Sequence, residues 1–416
     1  MTSAGPVLWI ILAGVVLVAV LLVVAGLVLR SAMKGSAGKL SVPGDPQRSL
    51  IASRDSAVES SFESGLQSLR QRVLGGSFQY RVPWILMIGT PGSGKTAILD
   101  SLSSGALSPS GDVSLKGLGI GWGFLNDGVV IDAPGSLLLG PGAGEQSDES
   151  GWNQMLRRLN RHRPARPLDG VVLTISAAEL LDSTVDIASK GSLIRAKLDQ
   201  LQSAAGLVLP VYVLVTKCDS LRGFGSFCQE IQQTDPELKK EMFGWSNDHT
   251  LESVFTWVWV DEALTTLHRT LRAHQLKFFG TERTMIRADD LFRFPAGFQT
   301  LRDPLRNFLT QLFVPVSYRD SHYFRGVYFS GLPSEPGTAA DGSELAVIGD
   351  RGRTRLPLFF LEHLFDKKVF VEKTLARPVP QRFFFRNRIV MGAQIFSAVF
   401  SMMMAIGLTV AYFRLS

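Results

Sequence analysis

Residues 89–96 read GTPGSGKT and match the pattern G-x-x-x-x-G-K-S/T in full. An apolar run at residues 84–88 leads into this octapeptide, and a helix-forming stretch at 97–102 follows it. Strand, glycine-rich turn and helix in that order are what a phosphate-binding turn requires. Glycines let the backbone fold round phosphates with its N–H groups pointing inward. The helix that follows adds its positive end. Lys95 is then placed to neutralise β- and γ-phosphate oxygens, and the Thr96 hydroxyl to ligate Mg²⁺. The bland alternative is a glycine-rich turn between a strand and a helix.

Two more strand ends carry related chemistry. Residues 129–132 (VVID) run into Asp132-Ala133-Pro134-Gly135. A carboxylate at the tip of a strand beside the glycine-rich turn holds Mg²⁺, usually through water, and the Gly135 N–H senses a γ-phosphate. The apolar run 211–215 closes on Thr216-Lys217-Cys218-Asp219. This resembles an N/T-K-x-D base-reading motif, in which the Asp accepts two guanine N–H donors and the Lys stem lies on the purine face. Adenine lacks that donor pair. The competing reading is a solvated Lys217 and an Asp219 helix cap before Ser220-Leu221.

The expected site is therefore Gly89, Gly92, Ser93, Gly94, Lys95, Thr96, Asp132, Gly135, Thr216, Lys217 and Asp219. Thr96 and Asp132 are the metal ligands of that set, and GTP or ATP with Mg²⁺ is the cofactor. No catalytic residue is assigned. Residues 101–130 contain no Thr to close on the metal, leaving Ser110 or Ser114 as substitutes, and Ser136-Leu137-Leu138 follow Gly135 where a Gln or His would orient water. Nucleotide hydrolysis is expected to be slow or to depend on a partner.

Short apolar runs at 84–88, 129–132, 170–175 and 211–216 alternate with helical stretches. The pattern predicts an α/β fold with a GTPase-like parallel sheet. Val58, Phe62, Leu66, Leu69 and Val73 mark an amphipathic helix before it. Helices are expected at 253–271, 301–313 and 356–369, with one more strand at 325–331. The expected division is a P-loop GTPase-like domain at 50–250 and a mostly helical extension at 251–388. Arg157, Arg158, Arg161, Arg163 and Arg166 form a dense basic stretch. It reads as a solvated helix face, or as a surface for anionic lipid or an acidic partner.

Apolar residues make up 45% of the 416, charged residues 19%, and the net charge is +6. That excludes a disordered chain. It is also too mild a charge to argue for nucleic acid. Two cysteines, Cys218 and Cys228, exclude a disulfide scaffold. The positive mean hydropathy traces to residues 7–29 and 389–413, which carry no charge. Each is long enough to cross ~30 Å of hydrocarbon as a helix. Arg30, Lys34, Lys39 and Arg48 follow the first run; Arg382, Arg386 and Arg388 precede the second, with only Arg414 beyond it. Positive charge stays on the cytoplasmic side. The centre is thus expected in the cytoplasm and both termini in the periplasm, with residues 1–6 periplasmic and 30–49 a linker. A signal peptide fits the first run less well, because residues 1–6 carry no Lys or Arg and the run is too long.

With these residues in view the chain resembles the IcmF/TssM family, an inner-membrane component of bacterial type VI secretion also found in some type IV systems. Pro83-Trp84 before the glycine-rich turn, Gly121-Trp122-Gly123-Phe124 before VVIDAPG, Trp152 followed by LRRLNRHRPARPLDGVVLTISAAELL, YVLVTKCDSLRGF at 212–224 and RGVYFSG at 325–331 carry the likeness, in order. The resemblance implies an anchor in a trans-envelope complex, with other inner-membrane and baseplate subunits as partners and an oligomeric assembly. Three departures stand out. One apolar run begins the chain where the family has two adjacent spans, DAPG stands for D-T-A-G, and the family's large periplasmic region after the last span has no counterpart in this sequence. The chain is expected to be either the N-terminal part of such a protein or a short relative.

Overall fold

A computed structural model describes residues 46–73, 78–103, 119–139, 149–249, 254–280, 288–314, 322–333, 358–379 and 388–415. In chain order these form α1 (Pro46–Arg72), β1 (Trp84–Gly89), α2 (Lys95–Ser103), β2 (Gly121–Phe124), β3 (Val129–Asp132), α3 (Glu149–His162), β4 (Gly170–Ser176), α4 (Ala177–Leu181) and α5 (Ile187–Ala205). Then come β5 (Leu207–Val208), β6 (Pro210–Thr216), α6 (Phe224–Thr234), β7 (Gly244–Ser246), α7 (Val258–Phe279), α8 (Ala288–Gln299), α9 (Arg302–Phe313), β8 (Tyr323–Phe329), β9 (Arg377–Pro378) and α10 (Arg388–Leu415). The chain divides into two units, Ser49–Val379 and the pair of terminal segments Met1–Arg48 with Pro380–Ser416.

The first unit is built on a seven-stranded sheet of order β2-β3-β1-β4-β6-β8-β7. β3, β1, β4, β6 and β8 are mutually parallel, and the edge strands β2 and β7 run antiparallel to their neighbours. Every residue of β1, β4 and β6 is buried. Strands covered on both faces read as continuous apolar runs rather than alternating ones. On one face Trp84, Leu86, Ile88, Val171, Leu173, Val213 and Val215 pack against the apolar stripes of α1, α3 and α5–α9. On the other, Ile85, Met87, Val130, Val172, Tyr212 and Leu214 meet Ile98 and Leu99 of α2 and Leu361, Leu364, Phe365 and Phe370. Trp84 and Trp122 stand edge-on with ring centroids 5.5 Å apart, and Phe62 of α1 joins them at 5.3 Å.

β8 lies beyond residue 250 yet pairs with β6 inside this sheet, so the segments before and after that position share one core. The helix expected at 253–271 is α7, which begins at Val258 and continues to Phe279. α8 contains Pro295, whose missing N–H leaves the Leu291 carbonyl without its helical donor. Gln275 Nε2 of α7 supplies a bond to that carbonyl at 2.7 Å. The helix expected at 356–369 is not continuous. Phe359 instead bridges to Gly331, and Phe360 adopts a left-handed φ of 67°. The Phe360 N–H goes to the Lys239 carbonyl at 2.7 Å, and only one α-turn (Glu362–Leu364) and a π-turn (Phe365–Val369) follow. Glu372 ties this segment to the sheet: Tyr212 Oη donates to it at 2.7 Å, Arg325 Nη2 at 2.7 Å and Lys368 Nζ lies at 2.9 Å.

In the second unit, α10 spans the second uncharged run. The first uncharged run lies outside the described residues. Among the described residues no helix is long and apolar enough to cross a membrane, so the structure does not bear out the membrane span expected at 389–413.

Candidate functional site

Because β1, β3 and β6 are parallel, the three motifs at their carboxyl ends emerge along one edge of the sheet. From β1 the chain leaves over one face through α2; from the adjacent β4 it leaves over the other through α5. At such a reversal open α/β sheets bind ligands, outside the carboxyl ends of the strands.

The turn at 89–96 lies at this end of the sheet. Gly92 and Gly94 have φ of 76° and 83°, which L side chains rarely adopt. Gly89 is required for a different reason: a Cβ there would stand 2.0 Å from Thr174 Oγ1 and 2.4 Å from the Thr174 carbonyl. Thr174 and Ser93 share a hydroxyl–hydroxyl bond of 2.7 Å. Lys95 is buried, and its Nζ donates to the carbonyls of Gly89 at 2.9 Å and Thr90 at 3.2 Å. Burial lowers its pKa, against the opposing pull of the Asp132 and Glu179 carboxylates.

Asp132 closes β3 beside it. Thr96 Oγ1 faces Asp132 Oδ2 at 3.4 Å, while the buried Oδ1 has no hydrogen-bond partner. Burial raises the Asp132 pKa to about 6, opposed by Lys95 and by the Thr96 hydroxyl. Gly135 abuts the turn so closely that a Cβ would meet Pro91 N at 2.7 Å. Thr216 reaches the turn from the other side, with Oγ1 donating to the Ser93 carbonyl at 2.7 Å. Lys217 is exposed with a left-handed φ of 54°. Asp219 Oδ1 accepts the Leu332 N–H at 3.1 Å.

The expected residues are thus brought together with differing orientations. Ser93 and Thr216 point into the protein and brace the turn. Lys95, Thr96 and Asp132 form a compact cation–carboxylate group. Asp219 does not cap the short turn that contains it; its carboxylate holds the loop after β8. Sequence reasoning missed Thr174 and Glu179. The signal for Glu179 was its place in the first turn of a helix directly after a strand next to the turn's own.

The basic stretch is largely spoken for. Arg163 is 2% exposed, bonded to Asp169 Oδ2 at 2.9 Å and lying over the Trp84 ring at 5.0 Å. Arg166 pairs with Asp169 Oδ1 at 2.7 Å, and Arg158 reaches Glu59 and Glu63 of α1. The reading as a uniformly solvated face therefore fails for Arg163. A cavity of about 190 Å³, lined by Ser101, Leu125, Asn126, Lys240, Leu358 and Asp366, lies near the far end of α2 from the turn.

The IcmF-related N-terminal domain family matches residues 145–396. TssM1, a type VI secretion system component of Pseudomonas aeruginosa strain PAO1, is 30% identical over 345 residues; the match covers 77% of this chain and 30% of that protein. The chain belongs to the IcmF/TssM family of type VI secretion components. It spans under a third of the length of that relative. Among solved structures, a point variant of SsGBP shares 15% identity over 34% of this chain and 41% of its own, with a TM-score of 0.21. A variant of Aquifex aeolicus Era bound to GDP·AlF4⁻ shares 20% over 38% and 48%, also at 0.21. At that score neither likeness bears on fold or function.

Proposed function

We propose that the turn at 89–96 holds the phosphates of GTP or ATP together with Mg²⁺, and that nucleotide acts as a conformational or assembly switch in a subunit that anchors a type VI secretion complex in the inner membrane. The carrying observation is the convergence of Lys95, Thr96 and Asp132 at the carboxyl ends of the neighbouring strands β1 and β3, with Asp132 Oδ1 buried and unpartnered. These residues fit the group. Backbone N–H groups of the glycine turn and Lys95 would hold phosphate oxygens, and Thr96 and Asp132 the metal. Bound Mg²⁺ would supply charge neutralisation of the phosphates. Lys95 would exchange two carbonyl partners for phosphate oxygens, and the turn would tighten around them.

The membrane role is supported by family membership and by the two uncharged runs with positive flanks on the central side. Partners in the reading are other inner-membrane and baseplate subunits. The alternative is a membrane GTPase or ATPase whose hydrolysis energises assembly or transport. It needs a side chain aimed at water after Gly135, where Leu137 and Leu138 are buried. Phosphate release by the full chain, alone and with membrane partners, separates the two. Nucleotide binding without turnover supports the switch; turnover abolished by Lys95→Ala supports the enzyme.

A further inference from the structure

Thr90 is 1% exposed and is gripped at its carbonyl and its hydroxyl. Its carbonyl accepts Lys95 Nζ at 3.2 Å, and its hydroxyl donates to Glu179 Oε2 at 2.7 Å. Glu179 sits on α4, which starts where β4 ends. Its other oxygen, Oε1, is held by the ammonium of Lys190 on α5. The Glu179 side chain is 15% exposed and that of Lys190 31%, so the pair is only partly screened from solvent. Glu179 and Asp132 are the two carboxylates whose charge acts on Lys95.

We infer that Glu179 is a positioning residue for the phosphate turn. Its carboxylate fixes the rotation of Thr90, and with it the direction of the carbonyl on which Lys95 rests. Lys190 fixes the carboxylate in turn. A turn already held in one shape loses less freedom when it closes on a ligand, so the triad raises affinity by preorganisation. The Thr90 hydroxyl is too buried for water to replace Glu179 as its acceptor. This inference rests on the nucleotide reading and adds to it a residue on a helix that no part of the phosphate motif includes.

The test is calorimetric titration of the full chain with Mg·GTP and Mg·ATP, using Thr90→Val, Glu179→Met, their double variant, Thr90→Ser and Lys190→Met. Glu179→Met keeps the length of the side chain and removes both acceptor oxygens. Thr90→Val and Glu179→Met are each expected to weaken binding about tenfold. The double variant is expected to be no weaker than either single one, because both break the same link. Thr90→Ser keeps the hydroxyl and is expected to retain wild-type affinity. Lys190→Met, on a partly exposed residue, is expected to weaken binding about threefold. Hydrogen exchange in nucleotide-free Glu179→Met is expected to rise at 89–96 and not across the sheet. Wild-type binding with Thr90→Val, Glu179→Met and Lys190→Met unchanged would overturn the inference and leave the nucleotide reading standing, as would losses that multiply in the double variant. A wild-type chain that binds neither nucleotide overturns both.

Discussion

The Thr216 hydroxyl donates to the Ser93 carbonyl across 2.7 Å, binding the end of β6 to the middle of the glycine turn. Two motifs 123 residues apart in sequence are thereby one mechanical unit. Thr216→Val keeps the shape and removes the donor, leaving a buried carbonyl short of a partner. The expected cost is about 1 kcal/mol of stability in denaturant unfolding. Thr216→Ser is expected to recover most of it. Equal stability of the Val variant would show that the bond contributes nothing to the turn.

Asp132 predicts a pH dependence with a definite sign. Its pKa in the fold stands at about 6, above the ordinary 3.8, so the folded protein holds this proton more tightly than the unfolded chain. Its contribution to stability is therefore greatest below about pH 4, falls as pH rises to about 6, and is level beyond. The span of that fall is about 3 kcal/mol at most. Asp132→Asn is expected to flatten it in melting curves taken across this range. Metal binding requires the ionised carboxylate, so protection by Mg·nucleotide should be larger at about pH 7.5 than at about pH 5.

Arg163 and Asp169 form a buried pair, 2% and 3% exposed, and Asp169 Oδ2 also accepts the Trp84 backbone N–H at 2.7 Å. Without Arg163 the carboxylate keeps Arg166, but without Asp169 the buried Arg163 cation loses its partner. Asp169→Leu is expected to destabilise the first unit by about 3–5 kcal/mol, measured by chemical unfolding, with the double variant Arg163→Met/Asp169→Leu less affected than the single. If the stretch served instead as a lipid or partner surface, Asp169→Leu would leave stability unchanged and Arg163→Met would reduce association.

Base preference is tied to Asp219. One of its oxygens is engaged by Leu332, so a guanine reader must share that carboxylate between the loop and the base. The reading predicts tighter binding of GTP than of ATP, and a shift from GTP toward xanthosine triphosphate in Asp219→Asn. Equal affinity for both purines, unchanged by the substitution, would remove Asp219 from base reading.

Much of the sheet was legible in the sequence because central parallel strands are continuous apolar runs: β1, β3, β4 and β6 lie where those runs do. The edge strands β2 and β7 are short, glycine-containing and partly exposed, and give no such run. Residues 356–369 have helical composition, but Phe360 gives its N–H to Lys239 and Phe359 gives its own to Gly331, both distant in sequence, which breaks the ladder. α8 was hidden by Pro295, whose missing donor is replaced by a side chain from α7. At the site, Lys95, Thr96 and Asp132 were legible because motif spacing on parallel strands fixes where they meet. Glu179 was not, since its role depends on a hydroxyl bond to Thr90 that no spacing rule encodes.

The central claim is a phosphate-binding turn that works through Lys95. Its most direct test is a titration of the full chain with GTP and with ATP in the presence of Mg²⁺, followed by heat and by melting temperature, for wild type and Lys95→Ala. The account predicts saturable binding and a raised melting temperature in the wild type, both lost in Lys95→Ala and both reduced without Mg²⁺. No heat and no thermal protection with either nucleotide, or identical behaviour in the two proteins, would contradict it.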